Sequence, residues 1–157
     1  KNREIELEKI QEEVNKRDEV QIYDLHEVSY DSIPEMMEWR PDKTYEVIVE
    51  TEDEIEEDNL ERLNNLIGTI NQETPNRVVH RRADKLRKRN VKSIDWEKIS
   101  DKKLKLTVKA EAGTYIKELV SSDDGRTYPS VKEMLKTECE PENLIVKKIH
   151  SGKYDKP

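Results

Sequence analysis

The chain has 157 residues, of which 41% are charged and 32% hydrophobic, and its formal net charge is −7. Both charge signs are interspersed with periodic apolar residues, which argues against disorder and predicts one domain that buries about 68–70% of its unfolded surface. No apolar run reaches the roughly 18 residues of a membrane helix, and no signal-like start is present. A single cysteine, Cys139, excludes an internal disulfide. We therefore expect a cytoplasmic protein without a membrane partner, and the ionic composition favours a thermophilic source.

The first 40 residues are predicted to form a helix, a strand and a second helix. Acids precede bases over residues 4–17, as the helix dipole prefers. Alternating apolar residues over 20–30 predict a strand, and an Asp or Ser cap predicts a short helix over 31–39. The first helix depends on four apolar residues at mostly helical spacing, namely Ile5, Leu7, Ile10 and Val14.

A strand over 44–51 and an amphipathic helix over 56–68 are predicted next. Tyr45, Val47 and Val49 alternate along the strand and therefore share one of its faces. Leucines recur at helical spacing in the helix, and Gly68 is expected to end it as the C-terminal cap.

The second half of the chain is predicted to contain paired strands and short helices. Its elements, after a loop over 71–77, are strands over 83–99 and 102–112 joined by a turn at 100–101, helices over 113–122 and 130–136, and a strand over 142–154. Four alternating residues of the second strand are expected to face the core, namely Leu104, Leu106, Val108 and Ala110. Helices mixed with hairpin-connected strands predict an α+β fold, with a mixed, largely antiparallel sheet flanked by helices.

The charges are unevenly distributed along the chain. Residues 50–61 carry eight acids and no base, whereas residues 77–92 carry eight bases and only Asp84 as an acid. A local positive potential can attract an anionic partner even when the whole molecule is acidic. Composition alone leaves two interpretations open for the basic segment, residues 77–92: a solvated face or an RNA-binding surface.

Residues 113–117, a G-T-Y-I-K run, follow a predicted strand and begin a predicted helix. Gly113 permits a close approach of the backbone to a ligand, and Thr114 is a candidate helix cap. Lys117 falls in the first helical turn, where the helix dipole disfavours a cation unless an anion faces it. The lysine therefore either has a carboxylate or phosphate partner or is an ordinary surface lysine.

Metal and cofactor sites are not indicated by the sequence. The three histidines, His26, His80 and His150, are scattered, and Cys139 has no second cysteine, so no ligand spacing typical of a metal site is present. The sequence also has no glycine-rich phosphate loop. We expect neither a metal nor a cofactor.

Three motifs resemble those of pseudouridine synthases. Residues 110–131, "AEAGTYIKELVSSDDGRTYPSV", resemble the third motif of these enzymes, in which a G-T-Y-I-basic run follows a strand. Their extension, and the T-P-x-R-V-x-H-R-R pattern within residues 74–91, are similar to the archaeal and eukaryotic tRNA pseudouridine-54/55 synthase family, the tenth class. Residues 42–50, "DKTYEVIVE", resemble the K-x-Y motif that supplies an active-site tyrosine. The three motifs occur in the order that the family has.

The resemblance implies roles for residues at the matching positions. Tyr45 would stack on the target base, and Lys117 would pair with the catalytic aspartate. The expected partner is tRNA, and the resemblance implies isomerisation of a T-arm uridine to pseudouridine without a cofactor or an obligate protein partner. RNA contacts are expected from Arg77, His80, Arg81, Arg82, Lys85, Arg87, Lys88, Arg89, Thr114 and Tyr115.

One motif of the family has no match in this chain. The catalytic aspartate of the family lies in a G-R-E-D-x-D-V-R type motif, which precedes a segment similar to residues 1–16. We therefore expect residues 1–157 to be the C-terminal part of a catalytic domain, inactive alone, without the aspartate motif and the N-terminal RNA-binding region. The alternatives are an RNA-binding module without catalysis and a structural domain whose charges only confer solubility.

Overall fold

The computed structural model describes residues 6–152, which belong to two compact units, Lys1–Trp39 and Arg40–Pro157. Ile5 in the first predicted helix and residues 153–154 of the last predicted strand lie outside the described residues. None of the helices in the described part of the chain has the length and apolar character that crossing a membrane requires.

The first unit is helical in its described part. It contains α1 (Leu7–Asn15), a single 3-10 turn (Tyr30–Ser32) and α2 (Ile33–Glu38), so both predicted helices are confirmed. The strand predicted over residues 20–30 is wrong, because this stretch is irregular and has no neighbouring strand. The Asn15 side chain bonds both backbone groups of Ile22 instead, at 2.6 and 2.7 Å.

The second unit is a six-stranded sheet with helices, which confirms the predicted α+β fold. The strands lie in the order β5-β2-β3-β4-β1-β6, and every neighbouring pair is antiparallel. Their bounds are β1 Asp42–Thr51, β2 Gly68–Gln72, β3 Arg87–Ser100, β4 Lys103–Ala110, β5 Thr127–Tyr128 and β6 Cys139–His150. The helices are α3 Glu57–Leu60, α4 Ile116–Ser121 and α5 Val131–Leu135, and a 3-10 turn spans Glu61–Leu66.

The core lies between one face of the sheet and these helices. The four residues expected to face inward from β4, Leu104 to Ala110, are all fully buried, as predicted. Val47 and Val49 of β1 join them, and Leu63 and Leu119 cover them from the helical side. Cys139 is also buried, and burial raises the pKa of its thiol to about 12, so the thiol stays protonated and unreactive near neutral pH.

Several predicted boundaries differ from the structure. The predicted helix over 56–68 ends at Leu66, and Gly68 begins β2 with φ +114° instead of capping the helix. Strands β2 and β5 were not predicted, because β2 is short and polar and β5 has only two residues. The predicted helix over 113–122 begins only at Ile116.

The strand order fixes which loops lie together. Ala110 at the end of β4 pairs with Lys43 of β1, and Gln72 at the end of β2 pairs with Arg87 at the start of β3. We call this end of the sheet, where β2 and β4 end and β1 and β3 begin, the site end. The loops that follow β2 and β4 both leave the sheet there. The acidic residues that follow β1 begin at the opposite end, where the Ile55 N–H bonds the carbonyl of Asp101.

Candidate active site

Tyr45 is the fourth residue of β1 and lies near the site end. Its neighbours across the sheet are Val108 of β4 and Val146 of β6. The side chain is on the same face as buried Val47, and it is half-buried against the core. Burial raises the pKa of the Tyr45 hydroxyl above its ordinary value, so the phenol is neutral throughout the physiological range.

Gly113 lies in the loop between β4 and α4 and makes room for Arg89. The Arg89 Nε donates to the Gly113 carbonyl at 3.2 Å, and its Nη1 donates to Glu111 at 3.4 Å. A Cβ on Gly113 would lie 3.3 Å from the guanidinium, and the glycine has φ +83°. The close approach predicted at this glycine is therefore made by a side chain of the protein itself.

Thr114 does not cap α4, so that prediction is wrong. Its hydroxyl donates backward to the Glu111 carbonyl at 2.8 Å and thereby closes the loop before the helix. The N-terminal cap position belongs to Tyr115, whose extended backbone begins the helix without a side-chain cap.

Tyr115 is the centre of a polar cluster on the candidate site. The guanidinium of Arg77 lies 5.9 Å from the centre of its ring, within the range of a cation–π contact. Arg82 Nη1 donates to the tyrosine hydroxyl at 3.3 Å. Two arginines of the basic segment therefore contact the G-T-Y-I-K motif directly, although 33 or more residues separate them in sequence.

A second contact between the two motifs is the ion pair of Arg77 with Glu118. Arg77 Nε lies 2.7 Å from one carboxylate oxygen, and Nη2 lies 3.4 Å from the other. The hydrogen bond to Glu118 raises the pKa of the Arg77 guanidinium. The glutamate side chain is only 7% exposed, whereas that of Arg77 is 54% exposed.

The unequal exposure of this pair predicts unequal effects of mutation on stability. Arg77→Met should lower the free energy of unfolding by about 1–3 kcal/mol, because it leaves a buried carboxylate unpaired. Glu118→Gln should cost less, because the arginine that loses its charged partner is already hydrated. Urea denaturation of both variants measures this difference, and an equal loss in the two would contradict the burial argument.

Lys117 is exposed in the first turn of α4, two residues after Tyr115. Among residues 6–152 no side-chain hydrogen bond or ion pair to Lys117 is formed, in contrast to Arg77, Arg82 and Arg89 nearby. The described part of the chain thus supplies no anion for the lysine, and its predicted pairing with an aspartate stays a prediction.

The remaining predicted RNA-binding residues lie along the loop after β2 and the start of β3. His80, Arg81, Lys85 and Lys88 are exposed. Arg87 is partly buried and donates from Nη1 to the Thr74 hydroxyl at 2.8 Å. The loop therefore presents several cations to solvent, and Arg87 helps to hold it.

The residues after α4 anchor the same loop from the other side. Arg126 donates to the Thr74 carbonyl at 3.0 Å and to Asp84 at 2.5 Å. Asp123, in a left-handed conformation with φ +50°, accepts from the Asn76 N–H at 2.9 Å. The D-D-G-R run thus positions the beginning of the basic segment.

Sequence reasoning missed three residues of the site: Gln72, Thr74 and Glu118. All three are buried polar residues that bond other motifs. Thr74 begins the T-P-x-R-V-x-H-R-R pattern but was not itself identified, and Glu118 is an acid within a short helix whose other residues are mostly apolar. Gln72 carried no signal. Within the described residues no group of three or more His, Cys, Asp or Glu is arranged to hold a metal ion.

Comparisons with known proteins identify relatives of this chain. The chain is 38% identical over 149 residues to the tRNA pseudouridine synthase Pus10 of Methanothrix thermoacetophila, covering 93% of this chain and 33% of that protein. It is 39% identical to the protein of the same name from Methanocaldococcus jannaschii, covering 97% and 34%. The chain therefore spans about one third of the length of these relatives.

A solved structure, a chain of a Cbf5-Nop10-Gar1 complex, has the same fold. The match has a TM-score of 0.57 at 24% sequence identity and covers 69% of this chain and 31% of that one. It confirms the predicted fold. The family model described as "Pus10, C-terminal" matches residues 1–150. With that match and relatives at 38–39% identity, this chain belongs to the Pus10 family, in its C-terminal region.

Proposed function

We propose that the chain forms one side of the active site of a tRNA pseudouridine synthase, which isomerises a T-arm uridine when the protein is full length. The observation that carries the proposal is the convergence of three motifs at the site end of one sheet. Tyr45 near the start of β1, the loop that ends in Tyr115, and the basic segment all lie there.

The reaction requires a base that is held outside its stack. The bond between N1 and C1′ breaks, the uracil turns while bound, and C5 bonds to C1′; C5 loses its proton and N1 gains one. A flipped base needs an aromatic surface, which half-buried Tyr45 offers. Its neutral hydroxyl is also able to donate or accept a hydrogen bond.

Lys117 is proposed to face the catalytic carboxylate. A carboxylate acts as nucleophile or base in this reaction, and a nearby ammonium keeps it ionised when water is excluded. The lysine is exposed and is not paired within the described residues, so it is accessible to a carboxylate from another part of the protein. We propose that the aspartate lies in a segment outside this chain, and that residues 1–157 alone are inactive.

The basic segment is proposed to bind the tRNA backbone. His80, Arg81 and Lys85 are exposed at the site end, while the acidic residues that follow β1 begin at the opposite end. This separation keeps the acidic run that follows β1 away from the proposed phosphate contacts. We also propose a cytoplasmic location, a thermophilic source in keeping with the ionic composition, and no obligate protein partner.

Release of tritium from tRNA labelled at C5 of uridine tests this function, because isomerisation removes the C5 hydrogen. The full-length protein should release tritium from a T-arm uridine, and residues 1–157 alone should release none. Salt-dependent tRNA binding without tritium release from the full-length protein would favour the alternative, an RNA-binding module without catalysis.

A further inference from the structure

Gln72 is the last residue of β2, and its side chain is completely buried at the site end. The amide Nε2 donates to the Tyr115 carbonyl at 2.9 Å, and Oε1 accepts from the Tyr115 N–H at 2.9 Å. The second hydrogen of Nε2 is directed to the Thr127 hydroxyl at 3.3 Å. One buried amide therefore bonds both backbone groups of a single residue in the G-T-Y-I-K motif.

The bonded residue, Tyr115, is the N-terminal cap of α4. The Tyr115 carbonyl also accepts from the Leu119 N–H at 3.0 Å, the first hydrogen bond of the helix. Tyr115 has extended backbone angles, φ −87° and ψ 97°, so its two backbone groups are available to a partner beside it. The Gln72 amide makes the two backbone hydrogen bonds that a neighbouring strand would make with an extended residue.

This pair of bonds holds the backbone of the residue that precedes the first turn of α4. Lys117 follows Tyr115 by two residues, so a shift at Tyr115 moves the lysine with it. The Tyr115 ring is the surface that Arg77 and Arg82 contact, so the same shift would also move that cluster. A misplacement of about 1 Å in an active site lowers rates by roughly 100-fold.

We infer that Gln72 is a positioning residue for uridine isomerisation, which sets the position of Lys117 by clamping the Tyr115 backbone. The inference rests on the proposed function. Among the described residues the Gln72 side chain bonds the Tyr115 backbone and the Thr127 hydroxyl, and it makes no hydrogen bond to Lys117, Arg77 or Arg82. Its effect on the lysine therefore passes through Tyr115. The clamp needs one donor and one acceptor at the end of the same side chain, and a primary amide supplies both without depending on pH.

Two substitutions in the full-length protein test the clamp. Gln72→Met keeps the volume but leaves the partly buried Tyr115 N–H without its acceptor. It should lower the single-turnover rate at saturating tRNA by about 10- to 100-fold, while tRNA affinity stays within about three-fold of wild type. Gln72→Glu lacks the donor when ionised and regains an O–H donor when protonated. Its rate relative to wild type should therefore rise as the pH falls from 8.5 to 6, which a loss of packing alone would not produce.

The control is Asn71→Ala, which removes an amide from the preceding residue on the other face of β2. This variant should keep the wild-type rate and pH profile. Hydrogen exchange of the Tyr115 amide gives a readout independent of turnover: it should be faster in Gln72→Met than in wild type, at temperatures where circular dichroism shows both to be folded.

The outcomes separate this inference from the proposed function. The positioning role alone would be overturned if Gln72→Met turned over tRNA as fast as the wild type. It would also be overturned if Gln72→Met and Gln72→Glu had the same pH profile. Unchanged exchange at Tyr115 in Gln72→Met would overturn the clamp itself. Absence of tritium release from the wild type would overturn the proposed function, and with it any role of Gln72 in the reaction.

Discussion

Lys117→Ala in the full-length protein is expected to lower the single-turnover rate of uridine isomerisation by about 100-fold or more, with little change in tRNA affinity. In the proposed role the ammonium stabilises the charge of a catalytic carboxylate in a site from which water is excluded, and removal of one such group typically costs 10²- to 10³-fold in rate. The exposed lysine makes no side-chain hydrogen bond or ion pair within the described residues that its loss would break. The fold should therefore be unaffected, and tritium release measures the effect on the reaction.

Lys117→Arg distinguishes the charge of the lysine from its shape. It keeps the cation and should retain more activity than Lys117→Ala, although a guanidinium is bulkier and planar. Lys109→Ala is the matched control, since it removes a lysine from β4 on the face opposite the core. Wild-type activity in Lys117→Ala would show that this residue takes no part in the reaction. Equal losses of activity in Lys117→Ala and Lys109→Ala would indicate a general effect of charge.

The parts of the fold that the sequence predicted are those with a clear apolar period. Residues 102–112 alternate without interruption, so both the strand and its buried face were predicted. Residues 20–30 also alternate, but a strand needs a neighbour, and the described part of the first unit contains none. At β2 a strand was present but was not predicted, because Thr69, Asn71 and Gln72 interrupt the apolar pattern. Packing and pairing with β3 stabilise this strand.

The candidate site was predictable where residue types form a motif and unpredictable where a contact depends on tertiary structure. Tyr45, Lys117 and the arginines were identified from short patterns. Gln72 lies 43 residues before Tyr115, and nothing in the loop predicted over residues 71–77 indicates that an amide there bonds a distant backbone. The pairing of Glu118 with Arg77 likewise requires that α4 and the loop after β2 meet.

The site end also explains how a chain with a net negative charge presents a cationic surface to the RNA partner proposed above. Antiparallel pairing brings the loops after β2 and β4 to one end of the sheet, and the acidic residues after β1 begin at the other. The net charge of −7 is a sum over the whole chain and therefore hides this separation. A local positive potential acts over about one Debye length, roughly 8 Å at physiological salt, so the nearby cations dominate at the site.

Tyr45→Ala should lower the single-turnover rate by about 10- to 100-fold, because stacking of a base on an aromatic ring contributes roughly 1–3 kcal/mol. Tyr45→Leu keeps an apolar side chain against the core but offers no aromatic face, so its rate should fall nearly as far. Tyr45→Phe keeps the ring and should retain most of the activity if stacking is the main role. Tritium release at saturating tRNA, with thermal unfolding of each variant as the control for folding, measures the series.

The pH dependence separates stacking from proton transfer at Tyr45. Burial raises the pKa of this hydroxyl above its ordinary value near 10, so the folded protein keeps the phenol protonated at pH 6–9. Ionisation of Tyr45 therefore contributes no pH dependence in that range, and the ratio of the wild-type rate to the Tyr45→Phe rate should be constant. A ratio that rises towards pH 9 would mean that the phenolate takes part in the reaction. In that case binding of the tRNA would have to lower the pKa of the Tyr45 hydroxyl, whereas burial raises it.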